Sequence, residues 1–240
     1  MAFVSFLFAC MFALVHIGIG RLRFLDRTPR SRWLSAAGGV AVTYIFLHVL
    51  PELAAHSTTF ANELNTTEKV ADGLVYSLSL AGLVVFYGLE RVIKGFRQTR
   101  SDEGVADAGP FWLHIGSFAV YNLIIGYLLL HREESGYGSL IIYGLAMALH
   151  FVTNDFGLRQ DHKARYDTTA RWILAGAVLS GWVLGWLTDV SQVGVGLLFA
   201  FLAGAVVLNV LKEELPDERE SRLLPFVGAA MAYAALLLAL

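Results

Sequence analysis

The chain has one cysteine, Cys10, five prolines, and charged residues at only 16% of its 240 positions. A single cysteine excludes a disulfide within the chain and any cysteine-based zinc ribbon. Soluble domains carry charge on about a quarter of their residues. A value of 16%, with 56% apolar residues and a mean hydropathy of +0.59, therefore excludes an ordinary soluble domain. The formal net charge of -2 gives no reason to expect nucleic acid as a partner. The lipid bilayer is the expected partner, and any chemistry must rest on His, Asp, Glu, Asn and backbone groups.

What the sequence does have is long apolar runs. A hydrocarbon core about 30 Å thick needs about 20 apolar residues as helix, and eight stretches without charge approach that length. They run from Ala2 to Gly20, Trp33 to Leu50, Gly73 to Leu89, Phe111 to Leu130, Gly138 to Val152, Trp172 to Leu187, Val193 to Leu211 and Leu223 to Leu240. The first has Leu7-Phe8-Ala9-Cys10, similar to a lipoprotein cleavage box, but no Lys or Arg precedes it, so it is expected to stay as a span. The connections are too short for a separate soluble domain. The expectation is an all-α, polytopic, single-domain protein over residues 1–240. The third connection, Arg97 to Pro110, is the most polar and is expected to be the most mobile.

The positive residues fall on alternate connections. The first carries Arg21, Arg23, Arg27, Arg30 and Arg32; the third Arg91, Lys94, Arg97 and Arg100; the fifth Arg159, Lys163, Arg165 and Arg171; the seventh Lys212, Arg219 and Arg222. Of the 18 Lys and Arg residues, only Lys69 and Arg132 lie elsewhere. Positive connections are retained in the cytoplasm. Eight spans of a cell-membrane protein with both termini on the extracytoplasmic side follow.

Sliding the sequence by 165 positions places Gly39 on Gly204, Leu50 on Leu215, Pro51 on Pro216, His48 on Glu213 and Glu52 on Asp217. The second and seventh spans run in opposite senses, so the match implies halves related by an axis in the membrane plane. Many secondary transporters are built this way. A shift of 32 pairs Phe118 and Asn122 with His150 and Asn154, again in opposite senses. The order expected is three spans, a central antiparallel pair, and three inverted spans. The plainer reading of Leu-Pro-acid is a helix stop at the interface.

Ionisable groups at membrane depth are costly and default to functional hypotheses. Placed by depth, His48, Glu52 and His56 lie at the outer end of the second span, Asn122 and His150 near the middle of the fourth and fifth, and Asn154, Asp155, His114 and Glu213 progressively inward. Together they form a polar ladder. Asn122, His150 and Asn154 are neutral, so a dication held by them alone would lack charge compensation. A metal site is therefore expected to be displaced inward, toward Asp155 with His114 or Glu213, or to recruit a carboxylate that swings in. Asp155 can also be read as the start of the inner loop, and His114 and Asn122 as interhelical hydrogen-bond groups. His16, His56, His131 and His162 lie near the interfaces and are expected to be solvated. Small residues at Gly38-Gly39, Gly176 with Ser180, and Ala203-Gly204-Ala205 imply close helix packing.

The run Gly38-Gly39 through His48-Val49-Leu50-Pro51-Glu52 resembles the second-helix signature of the ZIP (zinc/iron permease) transporters. Ala203-Gly204 through Glu213-Glu214-Leu215-Pro216-Asp217 is similar to their seventh helix. That resemblance implies eight helices in 3+2+3 order, and a transport site with a His-x-x-x-acid in helix four and a matching pair in helix five. Those positions fall here on Phe118 and Asn122, and on His150 and Asn154. Neither pair has a carboxylate, and Ala119 and Phe151 stand where a second metal would be bridged.

The function expected is a membrane transporter for a divalent metal cation, zinc, iron or manganese, with zinc first and no prosthetic group. The central pair is expected to move against the outer repeats. The site residues are His150, Asn154, Asn122 and Asp155, and the path residues His48, Glu52, His114 and Glu213. The alternative is a ZIP-like fold without dication transport, in a regulatory or partner-binding role. A homodimer is left open. An intramembrane zinc hydrolase would need a closely spaced His pair on a late helix, which is lacking, so no enzyme activity is expected.

Overall fold

In hydrocarbon every backbone N–H and C=O must be satisfied within the chain, and uncharged runs of this length do so as helices. The computed structural model describes residues 1–22, 25, 31–101, 108–132, 136–214 and 222–239, without the side chains at 97–101, 108, 163 and 213–214. All the regular elements among them are helical. They are α1 (Ala2–Gly18, ending in a 3-10 turn), α2 (Arg32–Glu63), α3 (Glu68–Ser101), α4 (Ala108–Leu128), α5 (Tyr137–Arg165), α6 (Tyr166–Leu187), α7 (Gln192–Glu214) and α8 (Leu223–Leu238). The core of the third connection, residues 102–107, and the Leu215-Pro216-Asp217 segment of the sequence repeat lie outside the described residues.

Seven helices, α1 to α7, are long and apolar enough to cross a membrane. The eighth, α8, has 16 residues. That is about 24 Å of helix, shorter than the bilayer core. Several helices outrun their apolar stretches. α3 begins at Glu68 rather than Gly73, and α5 continues to Arg165 rather than stopping at Val152. Hydropathy marks where lipid must be met, whereas the helix persists as long as its polar ends find partners. Large apolar side chains such as Phe3, Leu80, Trp112, Val120, Trp172 and Met231 are more than half exposed, the surface a lipid-facing protein presents.

Within α2 a π-helical turn spans Ile45–Val49, directly before Pro51. Proline cannot donate to the ladder, and its ring displaces the carbonyl four residues back. The wider turn absorbs both effects, and His48 stacks on Tyr44 with ring centroids 4.9 Å apart.

The helices pack as two groups of four. The closest partnerships are α4 with α6 and α1 with α6 in one group, and α3 with α7 and α2 with α8 in the other. Glycines make these contacts. A Cβ on Gly204 of α7 would fall on the Ser79 carbonyl of α3, and one on Gly82 of α3 on the Phe201 carbonyl of α7. In the same way Gly126 of α4 meets the Val178 carbonyl of α6, Gly181 of α6 the Leu123 carbonyl, and Gly39 of α2 the Phe226 carbonyl of α8. Backbones in contact give tight, rigid pairs. The two groups, α1-α4-α5-α6 and α2-α3-α7-α8, meet along a seam where α2 and α3 face α5 and α4, and where α7 reaches both.

Candidate functional site

Midway along the seam, α4 supplies Tyr121 and Asn122, α5 supplies His150 and Asn154, and α7 supplies Asn209, all buried. The Tyr121 hydroxyl lies 2.7 Å from His150 Nε2. Asn122 donates through Nδ2 to the carbonyl of Phe118 in its own helix, at 2.8 Å. His150 Nδ1, Asn122 Oδ1, Asn154 Nδ2 and both amide atoms of Asn209 have no hydrogen-bond partner. Asn209 approaches the Tyr121 hydroxyl without closing a bond of normal geometry. Each buried polar atom left unsatisfied costs about 1–3 kcal/mol. Unsatisfied buried atoms occur elsewhere in the bundle, at Tyr127 and Ser139 for example, but here five of them gather on three facing helices, and a guest would relieve them. The lone pairs there, on one imidazole nitrogen and two amide oxygens, suit a cation.

Among the described residues the expected inward metal site is not brought together. Asp155 is helical and fully buried, and its Oδ2 lies 2.7 Å from Nδ1 of His16 on α1. The periodicity explains the split: Asp155 sits about 100° around α5 from Asn154, which turns it away from α4 and toward α1. The Phe151 ring, 4.8 Å from the His16 ring, covers that pair, and the Tyr166 hydroxyl donates to the His16 carbonyl at 3.2 Å. His114 is engaged elsewhere, by Glu90 and His162. The Glu213 side chain lies outside the described residues. Among the described residues no set of three or more His, Cys, Asp or Glu side chains is arranged to hold a metal ion.

Toward the end where the N-terminal amine meets Tyr137, the seam holds a cavity of about 20 Å3. It is lined by Tyr44 and Glu52 of α2, Arg132 beyond α4, Tyr143 and Met147 of α5, and Val206 of α7, among others. That is room for about one water molecule. His48 lies 3.4 Å from Glu52, one turn along α2.

Toward the opposite, arginine-rich end, Phe86 of α3 closes against Phe118 and Tyr121 of α4, with centroids 6.2 and 5.7 Å apart. One turn beyond lies a second polar cluster. His114 Nε2 stands 3.1 Å from Glu90 Oε1, His114 Nδ1 stands 3.1 Å from His162 Nε2, and Lys212 Nζ donates to Glu90 Oε1 at 2.7 Å.

Three of the four histidines expected to be solvated are buried: His16, His56 and His162 at 0%, 1% and 8% exposure. The fourth, His131, is partly buried and reaches the Gly185 carbonyl through Nε2 at 2.9 Å. Depth along a span does not say which neighbouring helix covers a side chain, and here the neighbours extend past the apolar runs. Glu90 lies one residue past the third uncharged run, so hydropathy alone does not mark it. Its signal was a carboxylate one turn beyond an aromatic at the inner end of a span. Set against models of known protein families and against curated proteins, the sequence matches none.

Proposed function

We propose that the chain is a ZIP-like transporter of the cell membrane that moves a divalent metal cation of the zinc, iron or manganese class. In this reading it has eight spans in 3+2+3 inverted order, and both termini are extracytoplasmic. The observation that carries the reading is the cluster of unsatisfied buried polar groups around His150, set on the seam between two groups of helices. A carboxylate stands toward each end of that seam, Glu52 at one and Glu90 at the other. An ion would meet a carboxylate at each end, at Glu90 in competition with Lys212, and would be held weakly in the middle. Conduction needs such a balance, because a site must let its ion leave.

The inverted order is supported by matched contacts. Gly39 of α2 and Gly204 of α7 are partners in the sequence repeat, and each lies against the backbone of the last helix of the opposite half, α8 and α3. In this reading the moving part is wider than the central pair. α1 and α6 are joined to the central pair, so the unit that would shift is α1-α4-α5-α6 against α2-α3-α7-α8, rather than the pair alone.

The second reading is a ZIP-like fold that carries no dication and serves a regulatory or partner-binding role. It is favoured by the absence of a carboxylate from the centre and by the commitment of Asp155 to His16. Uptake of zinc, manganese and ferrous iron into proteoliposomes separates the two. Saturable flux that His150→Ala abolishes supports transport, and the same background in both proteins supports the second reading.

A further inference from the structure

The cluster at the arginine-rich end has a connectivity that packing alone does not require. Glu90 on α3 and Lys212 on α7 belong to one group of helices, and His114 on α4 and His162 on α5 to the other. Each group makes a contact of its own, Glu90 with Lys212 at 2.7 Å and His114 with His162 at 3.1 Å. A third contact, His114 Nε2 with Glu90 Oε1 at 3.1 Å, crosses the seam. All three lie in a largely buried setting: His114, His162 and Glu90 are 1%, 8% and 9% exposed.

We propose that the Glu90–His114 contact is a reversible latch that holds the two groups of helices together at the arginine-rich end, beneath the central site. The case rests on what remains when it opens. A buried charge deprived of its only partner is strongly disfavoured, and an ordinary bridge between moving parts would leave one on each side. Here Glu90 retains Lys212 and His114 retains His162. The network divides into two pairs, Glu90 with Lys212 and His114 with His162, and opening gives up one hydrogen bond at His114 Nε2 without stranding a carboxylate. That is the property of an element with two arrangements of similar energy.

The backbone provides for it. α5 departs from helical geometry at His162, with φ -137° and ψ 36°, and this break turns the last stretch of α5 so that the imidazole meets His114. Phe111 lies edge-on to the His162 ring at 5.3 Å and carries the Arg165 guanidinium on its face, also at 5.3 Å. The imidazole pair is thereby fixed to its own group. Phe86 and Phe118, the aromatic contact one turn toward the centre, would part with the same movement.

The latch depends on the two-group transport reading for its purpose but is tested without any metal, whereas the flux comparison above tests transport itself. In a Cys10→Ser background, spin labels at Val92 on α3 and Trp172 on α6, both exposed, report the separation of the groups by double electron–electron resonance in lipid nanodiscs. The unaltered network should give one main distance. Glu90→Ala and His114→Ala, which cut the latch from opposite sides, should each raise a second distance roughly tenfold in population, the effect of losing a charge-assisted hydrogen bond. The double variant should go no further than either single one.

Lys212→Ala and His162→Ala should keep the single distance, because each removes the fallback partner and leaves opening more costly. A purely structural cluster would loosen on loss of any of the four. The proposal is overturned if Glu90→Ala and His114→Ala leave the distribution unchanged, or if Lys212→Ala or His162→Ala reproduces theirs. Should one latch variant fail to fold, the other gives the same readout from the opposite group.

Discussion

His150 Nε2 and the Tyr121 hydroxyl, 2.7 Å apart, make one hydrogen-bonded unit of α5 and α4 and leave His150 Nδ1 without a protein partner. Orphaned buried N–H groups are rarer than orphaned acceptors. An ion at Nδ1 would need the lone pair there, and that tautomer carries the ring proton at Nε2, donating to the Tyr121 oxygen. Such a partner on the far nitrogen fixes the tautomer and raises the basicity of a ligating imidazole.

Tyr121→Phe removes that partner while keeping the ring that packs on Phe86 and Phe118. Thermal stability should fall by about 1 kcal/mol, the usual worth of one hydrogen bond. Zinc affinity measured by calorimetry should fall by about 10- to 100-fold, as for other removed supports of ligating histidines. An affinity equal to that of the unaltered protein would show that His150 is not a ligand.

The His16–Asp155 pair should behave as structure rather than as part of the path. Both side chains have 0% exposure. Asp155→Leu strands the imidazole and His16→Leu strands the carboxylate, and each should cost about 3–5 kcal/mol. Replacing both by Leu should cost less than replacing either. Unfolding monitored by thermal melting in detergent decides this, and additive losses would show that the two do not act as a pair.

The spans and the polar positions within them were legible because hydrocarbon imposes a length and penalises charge. Partnerships were not. Asp155 and His16 are 139 positions apart, and nothing in either local pattern links them. The sequence places Asp155 beside Asn154, and only the packing of α1 on α5 assigns it elsewhere. His162 reads as an interfacial residue until α5 is seen to continue past Val152 and break there. Glu90 lies just outside the uncharged run used to define its span. The glycine contacts show the reverse case: Gly39 and Gly204 were visible as a matched pair, while their targets on α8 and α3 needed coordinates.

Those glycines differ sharply in what they tolerate. Gly204→Ala places a methyl group on the Ser79 carbonyl, whereas a Cβ at Gly176 meets nothing within 4 Å. Overpacking of a close helix contact should cost about 1–3 kcal/mol, so Gly204→Ala should lower the melting temperature. Gly176→Ala should leave it unchanged or raise stability by up to about 1 kcal/mol, the difference in helix propensity. A loss at Gly176 equal to that at Gly204 would refute the contact-based account.

Asn154→Asp asks most directly whether the centre of the seam is a cation site short of charge. Asn154 is buried one turn from His150, and its Nδ2 has no partner. The substitution is nearly isosteric, replacing an orphaned donor with an oxygen that can carry charge. Without metal, an unpaired carboxylate there is unfavourable and should either lower thermal stability or remain protonated. With zinc or manganese the added charge should compensate the dication, and affinity should rise by at least about tenfold, the equivalent of 1.4 kcal/mol. Stability should then recover as metal is added, because a ligand that binds only the folded state stabilises it by mass action. Calorimetry and metal-dependent melting measure both effects. A destabilised variant that metal does not rescue would mean that Asn154 and His150 share no ion, and the centre would have to be assigned to a neutral, structural role.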